Sequence, residues 1–140
     1  MKHPLQPLLR LRLLAQDQAR RGLAESLRAE SEAEAAIIAI ETDIAHEAEV
    51  AADLKGDDTN VEAYGAWLRS VRPKQRAAEA AEVAAEAETA EARAVLAMSR
   101  AAVRAVEEIL ARRAADENHI NERRAQQELD EAAQRTGKRR

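Results

Sequence analysis

Histidines and carboxylates are the side chains of this 140-residue sequence with the types needed to bind a metal ion or to act as general acids and bases. The three histidines are His3, His46 and His119, and none has a second ligand at metal-site spacing on the same helical face. Glu47 and Glu49 lie beside His46, but such neighbours are expected by chance in a glutamate-rich helix. The histidines therefore predict no ligand or base.

Other catalytic patterns are also missing from the sequence. There is no cysteine, and neither a glycine-rich phosphate loop nor a nucleophile motif occurs. The carboxylates are numerous, but a thin helical rod offers no desolvated cleft that would shift their pKa values. We expect a protein that is not an enzyme, with no cofactor, no metal and no small-molecule substrate.

Nucleic-acid binding is the next function class to weigh, because the chain has several basic pairs. They are Arg20-Arg21, Arg112-Arg113, Arg123-Arg124 and the terminal run 138–140. Neighbouring acids dilute each pair, the net charge is −4, and no aromatic residues are interleaved for base stacking. Solvated helix surface is the favoured interpretation, and we expect no nucleic-acid partner.

The composition indicates long helices. Phe is absent, Trp and Tyr occur once each, and there are four Gly and three Pro, whereas Ala, Glu, Arg and Leu dominate. The longest apolar run, Ala35–Ile40, is too short to span a bilayer. The N-terminal leucines are interrupted by Arg10 and Arg12 and do not form a signal peptide. We expect a single all-α domain in the cytoplasm.

Heptad spacing predicts a first helix over residues 7–55, with Pro7 in its first turn. The clearest heptad runs from Ile37 through Ile40 and Ile44 to Glu47, Ala51 and Leu54. Upstream, Leu23, Leu27, Glu30 and Glu34 lead into Ile37, which implies a slip at Ile37–Ile40.

A short connection predicts that the chain then turns back. Gly56 after Lys55 is typical of a C-cap, and Thr59 with Glu62 is typical of a capping box. The turn 56–59 predicts an antiparallel two-helix coiled-coil hairpin, with the second helix over 60–135 and a frayed tail over 136–140. Pro73 should kink or split that helix.

The predicted helices differ in length. The later seam of the second helix runs Leu96, Ser99, Val103, Val106, Leu110 and Ala114, widened by Val95, Met98, Ala102 and Ile109. At 1.5 Å per residue, the first helix reaches back only to about residues 106–110 of the second. The sequence therefore predicts an overhanging C-terminal helix beyond Arg112, with an unburied Leu129.

Charge and aromatic residues are also unevenly placed. Residues 29–66 carry eleven acids and one base, whereas both chain ends are basic, which favours steering of a charged partner. Tyr64 and Trp67 open the second helix together with Leu68 and Val71. These residues either staple the bend by packing on Ala48, Ala51 and Leu54 or form a contact patch, and the two roles can coexist with Leu68 inward and Trp67 outward.

The layout resembles the FliJ/YscO family, the stalk proteins of type III export ATPases, over essentially the full chain. The shared features are a leucine- and arginine-bearing first helix, an acidic turn, the aromatic opening, "AVEEILARR" (Ala105–Arg113) and the closing "RRAQQELDEAAQR". In the closing segment, the family's Gln…Leu-Asp-Glu signature is matched by Gln126, Gln127, Leu129, Asp130 and Glu131.

The resemblance implies a stalk similar to the gamma subunit of rotary ATPases. The open end of the hairpin would enter a hexameric export ATPase ring through Leu9, Arg10, Arg12, Arg123, Arg124, Gln127, Leu129, Asp130 and Glu131. Tyr64, Trp67 and Val71 would contact the cytoplasmic part of the membrane export gate, although Lys74 and Ala78 depart from the family's residue types at the later positions of that stripe. Export chaperones are further partners in the family, and the location implied is cytoplasmic, peripheral to the inner membrane.

Three other hypotheses remain open. In the first, the chain is a stalk protein of an injectisome and not of a flagellum, although the Leu-Asp-Glu ending favours the flagellar branch of the family. Alternatively, it is a generic coiled-coil scaffold that dimerises through exposed Ala/Ile faces. A third hypothesis places the N-terminal Leu/Arg segment on anionic membrane as an amphipathic helix.

Overall fold

The computed structural model describes residues 4–53 and 58–139, and these residues form two long helices. Helix α1 spans Leu5–Asp53 and helix α2 spans Asp58–Lys138. They pack together, and no strand occurs in the described residues. The expectation of an all-α protein built from two helices is confirmed.

The observed ends differ by a few residues from those expected. Helix α1 begins at Leu5, so Pro7 lies in its first turn, where a missing N–H costs no hydrogen bond. Helix α2 begins at Asp58, which makes Thr59 its second residue rather than its N-cap. Asp58 lies in the first turn, where a carboxylate interacts favourably with the helix dipole. The expected cap at Gly56 and the contact at Leu54 lie outside the described residues.

The C-terminal tail was predicted to fray, but it is helical to Lys138. The Thr136 hydroxyl donates to the Ala132 carbonyl at 2.7 Å, within the last turns of α2. Arg135 and Lys138 lie in the last turn, where cations offset the negative end of the helix dipole. This charge placement favours the helical conformation of the last turn.

Pro73 lies inside α2 without splitting it. The ring removes one backbone N–H from the helix ladder. Side-chain hydrogen bonds bracket the site: the Ser70 hydroxyl donates to the Trp67 carbonyl at 2.6 Å, and Arg72 Nη1 donates to Gln75 Oε1 at 2.8 Å. Of the two outcomes expected at Pro73, splitting is therefore wrong.

The described chain divides into two compact units. One unit comprises residues 17–97, and the other combines the chain through Gln16 with α2 from Met98 onward. In the 17–97 unit, Ala51 of α1 lines a depression with Tyr64 of α2, and Glu30 of α1 lies close to Glu82 of α2. Residue numbers thus fall along α1 as they rise along α2, so the two helices are antiparallel.

Packed positions in the 17–97 unit follow a heptad pattern on each helix, interrupted once on α1 by two steps of four from Ile40 to Ala48 and once on α2 by two steps of four from Trp67 to Gln75. Along α1 the buried and half-buried seam is Ala19, Leu23, Ser26, Glu30, Ala33, Ile37, Ile40, Ile44, Ala48 and Ala51. Along α2 it is Asn60, Tyr64, Trp67, Val71, Gln75, Ala78, Glu82, Ala85, Thr89, Ala92 and Leu96. Steps of three and four alternate through most of both series, as a coiled-coil seam requires.

This seam corrects the heptad phase expected for the first helix. Leu27 and Glu34 are exposed, and Ser26 and Ala33 take their places, so no slip occurs at Ile37–Ile40. Upstream of Ile37, the three-and-four spacing continues through the smaller residues Ala33 and Ser26. The prediction was wrong because Leu27 is more apolar than Ser26. Near the turn, Ala48 rather than Glu47 faces the seam.

Small residues dominate the tightest part of this seam. Thr89 is 1% exposed, and its hydroxyl donates to the Ala85 carbonyl at 3.0 Å. The buried hydroxyl is therefore satisfied within its own helix and needs no partner across the seam. Ala19, Ile37 and Ala85 are also buried, so the facing helix covers even the alanine positions of this seam.

The second unit has its own short core. Val103 and Val106 are 5% and 6% exposed, and Leu110 is half-buried. Leu5, Leu8, Leu9 and Gln16 of α1 are half-buried in the same unit. Ala114 is exposed, so the predicted seam ends one step earlier, at Leu110. Of the residues expected to widen the seam, Ala102 is half-buried, whereas Val95, Met98 and Ile109 are exposed.

Neither described helix contains a stretch both long and apolar enough to cross a membrane.

Candidate functional site

The end of α2 is the largest exposed segment of the described chain. Every residue from 111 to 139 is exposed, and the segment includes Ile120 and Leu129. Leu129 is 65% exposed. Burying a leucine side chain stabilises a protein or complex by about 1.5–3 kcal/mol. Contact with a partner that buries Leu129 would therefore stabilise the complex by this mechanism.

Charges in this segment are only partly paired. Arg112 contacts Glu108 at 2.6 Å and Arg135 contacts Glu131 at 4.0 Å, in both cases one turn apart on α2. Gln126 Nε2 donates to Asp130 Oδ1 at 3.1 Å. Arg123 and Arg124 make no ion pair with any described residue. Two adjacent guanidinium groups are thus available to an acidic partner, with five N–H donors each.

The heptad phase of the seam does not continue as an apolar line through this segment. Beyond Leu110, steps of three and four fall on Arg113, Glu117, Ile120, Arg124, Gln127, Glu131, Gln134 and Lys138. Only Ile120 in that series is apolar. A further two-stranded coil in this phase would bury charged groups, which is costly unless each is paired. The segment is therefore better suited to many polar contacts than to a second hydrophobic seam.

The leucine-rich start of α1 belongs to the same unit as this segment. Leu9 is half-buried, whereas Arg10 and Arg12 are exposed. Leu11 and Leu14 are also exposed. Of the predicted ATPase-binding residues of the first helix, Arg10 and Arg12 are therefore exposed, whereas Leu9 belongs partly to the core; the exposed leucines were not part of that prediction.

The aromatic pair lies where α1 and α2 pack beside the turn. Tyr64 and Trp67 are stacked, with ring centroids 6.2 Å apart and an interplanar angle of 27°. Both line a shallow depression with Glu47, Val50 and Ala51 of α1. A stacked pair of this geometry stabilises its site beyond the area that it buries.

Trp67 is accordingly not directed away from the hairpin. Trp67, Leu68 and Val71 are all half-buried, and Tyr64, Trp67 and Val71 occupy successive seam positions. This placement favours the staple interpretation over a fully outward contact patch. The half that stays exposed is the surface on which the predicted gate contact would have to form.

An acidic cluster crosses the middle of the 17–97 unit, and the sequence reasoning did not single it out. Desolvation and the charges of Glu86, Glu34, Glu41 and Glu30 raise the pKa of Glu82 above its ordinary value of 4.5. Glu30 Oε2 is buried and has no hydrogen-bond partner. Both Glu30 and Glu82 occupy seam positions. Glu30 already stood in the predicted seam of the first helix, whereas the heptad phase of the second helix before Leu96 was the signal that would have identified Glu82.

The described residues 4–53 and 58–139 contain His, Asp and Glu side chains, which are of types that bind metal ions. No group of three or more His, Cys, Asp or Glu side chains is arranged there to hold a metal ion. His46 and His119 are exposed on α1 and α2, and His3 lies outside the described residues.

No protein-family model, curated protein or solved structure matches this chain.

Proposed function

We propose that this chain is a non-enzymatic coiled-coil component of a flagellar type III protein export apparatus. In this proposal it is the central stalk of a hexameric export ATPase ring, which it helps to assemble and links to the membrane export gate. The proposal rests on the FliJ/YscO resemblance of the sequence together with the physical character of the helix end. It places the protein in the cytoplasm, at the inner face of the inner membrane.

The exposed segment 111–139 is the observation that carries the proposal. The 81 residues of α2 correspond to about 122 Å of helix and the 49 residues of α1 to about 74 Å. We infer that the surplus is an overhang that begins after Leu110, where the packed seam ends. A helix that buries so little needs a partner to offset the entropy of ordering its side chains.

The surface chemistry of that overhang fits a ring-shaped partner with polar, acidic pore loops. Arg123 and Arg124 are unpaired among the described residues, and Leu129 projects one to two turns beyond them. Attraction between opposite charges speeds encounter and sets orientation more than it adds affinity. Shallow polar contacts along a helix also suit an element that has to rotate or shift within a ring.

The test is stimulation of the cognate ATPase by purified protein. Arg123→Glu with Arg124→Glu, or Leu129→Glu alone, should abolish stimulation while helicity by circular dichroism is unchanged. Arg28→Glu is the matched control, because it changes charge on an exposed site of α1 outside the segment. If the variants stimulate as well as the wild type does, this end of α2 is not the ATPase-binding surface.

Two alternatives remain. The injectisome counterpart has the same architecture, and pairing the protein with a flagellar and an injectisome ATPase in the same assay separates the two. A generic coiled-coil scaffold is the second alternative, favoured by the alanine-rich exposed surface of α2. For that alternative, no export ATPase would be stimulated by the wild-type protein.

The gate and chaperone contacts remain predictions of the resemblance. Because Trp67 packs against α1 beside the turn, its substitution changes both the hairpin and any surface built on it. Binding to the gate therefore has to be compared with the stability of each variant. Export chaperones are further candidate partners, and no residue of this chain is assigned to them.

A further inference from the structure

Helix α2 carries a second apolar face in addition to its seam with α1. The outer face, as we call it, lies within the 17–97 unit and consists of Ala80, Val83, Ala84, Ala87, Ala90, Ala94 and Ala97. All seven residues are exposed, and Val83 is 65% exposed. Helices usually present charged or polar residues on the side away from their core, so this face calls for a physical explanation.

The outer face has the spacing of a coiled-coil seam. Positions 80, 83, 87, 90, 94 and 97 alternate steps of three and four. Ala87 comes two residues after the buried Ala85, which places it about 200° around the helix from the seam with α1. The face is therefore on the side of α2 that α1 does not cover.

Three charged residues, Glu79, Glu86 and Arg93, border this face along one edge. Glu86 and Arg93 are exposed and stand one heptad apart, each directly before an outer-face position. No base lies three or four residues from Glu86, and no acid lies three or four residues from Arg93, so neither has a partner along its own helix. Neither forms an ion pair anywhere in the described ranges 4–53 and 58–139.

This arrangement is self-complementary about a point near the middle of the face. We propose that the outer face binds the same face of a second copy of this chain, with the two α2 helices antiparallel. The layers of such a pair are Ala80 on Ala97, Val83 on Ala94, and Ala87 on Ala90. Glu86 of each chain then meets Arg93 of the other, so two symmetry-related attractions form, as an isologous two-fold interface requires.

Charge also decides the orientation. In a parallel pair, the two copies of Glu86 lie on opposite sides of the seam, and Glu86 of one copy lies beside Glu91 of the other. Like charges at facing positions disfavour that arrangement, whereas the antiparallel register makes both contacts attractive. The same edge residues that lack partners in the single chain thus specify a single geometry for the pair.

The expected dimer is weak and sensitive to salt. The outer face extends for only about 26 Å along α2, and alanine layers bury little apolar area per residue. Contacts of this size fall at the low end of specific interfaces, and the exposed ion pairs are screened as ionic strength rises. We expect association that is detectable at high protein concentration and low salt, with a clear loss of dimer at high salt.

Sedimentation equilibrium of the full chain over a series of concentrations tests the proposal. The wild type should show a monomer–dimer equilibrium, and Arg93→Glu and Glu86→Arg should each shift it to monomer. An equimolar mixture of the two single variants should associate again, because every facing pair is then of opposite sign. The double variant Glu86→Arg/Arg93→Glu should dimerise like the wild type.

Matched controls separate the face from general charge effects. Arg28→Glu makes the same charge change on an exposed site of α1 and should leave the equilibrium unchanged. Ala90→Lys places a long side chain in the central layer and should block association while preserving helicity. A wild type that stays monomeric over the whole concentration range overturns the proposal, as does a dimer that the single variants do not weaken. The proposed ATPase function is tested separately and does not depend on this result.

Discussion

Replacing glycine by alanine at two helical positions should stabilise the hairpin. Gly22 lies inside α1 and Gly65 inside α2. A Cβ built on either residue meets no atom within 4 Å, and neither has a backbone conformation that disfavours an L side chain. Alanine therefore fits without strain, and its stiffer unfolded chain loses less entropy on folding.

The magnitude follows from helix propensity and chain length. Each change should add about 0.5–1 kcal/mol to the free energy of unfolding. With an unfolding entropy of about 2.1 cal/mol/K per residue, a chain of this length gains roughly 3 °C in Tm for each 1 kcal/mol. The two sites lie on different helices at different levels of the hairpin, so the double variant should add the two effects.

Thermal denaturation followed by circular dichroism at 222 nm is the assay. Gly137→Ala is the matched control, since its added Cβ also meets nothing within 4 Å but the site lies in the last turn of α2, where helix ends fray. That variant should leave the main transition unmoved. A decrease in Tm for Gly22→Ala or Gly65→Ala would refute the reasoning, because it would require a close contact at the glycine that the structure does not contain.

Two further predictions concern the seam of the 17–97 unit. Because the pKa of Glu82 is raised, the folded state binds this proton more tightly than the unfolded state, and the contribution of Glu82 to stability should rise as pH falls from neutrality towards 4.5. The variant Glu82→Gln should therefore be more stable than the wild type at neutral pH. Thermal scans should show the Tm values of the two proteins converging below pH 4.5. Equal pH dependence of the stability of both proteins would contradict a raised pKa of Glu82. Trp67→Ala should lower the free energy of unfolding by about 2 kcal/mol, because Trp67 is stacked on Tyr64 but only half-buried, and full truncation of a buried aromatic side chain costs about 3–5 kcal/mol. Urea denaturation measures this change. An unchanged midpoint would show that Trp67 does not staple the turn.

Much of the secondary structure could be predicted from local information. The lack of Phe, the scarcity of Gly and Pro, and the abundance of Ala, Glu and Arg leave helix as the favoured state almost everywhere. The seam from Leu96 to Leu110 was predicted correctly because its apolar residues are large and regularly spaced. Bounds were less certain, since the helix limits at Asp58 and Lys138 depend on end effects worth only a few tenths of a kcal/mol.

The heptad phase of the first helix could not be predicted in the same way. Leu27 is more apolar than Ser26, so residue hydrophobicity alone selects the wrong line. In the folded protein the position of α2 decides the phase, because small residues such as Ala85 and Thr89 on one helix require a close neighbour on the other. The same packing places Glu82 at the seam, near Glu30.

The sequence by itself determined that this chain forms long helices and which segments carry an excess of acids or bases, because these properties depend on local propensity and on residue type. Tertiary packing decided which face of each helix is covered. It buries Thr89, holds Trp67 against α1, raises the pKa of Glu82, and leaves both the outer face of α2 and the segment 111–139 exposed. The physical reason is that a nearly uniform Ala/Glu/Arg helix has several similar faces, and only the packed partner selects among them.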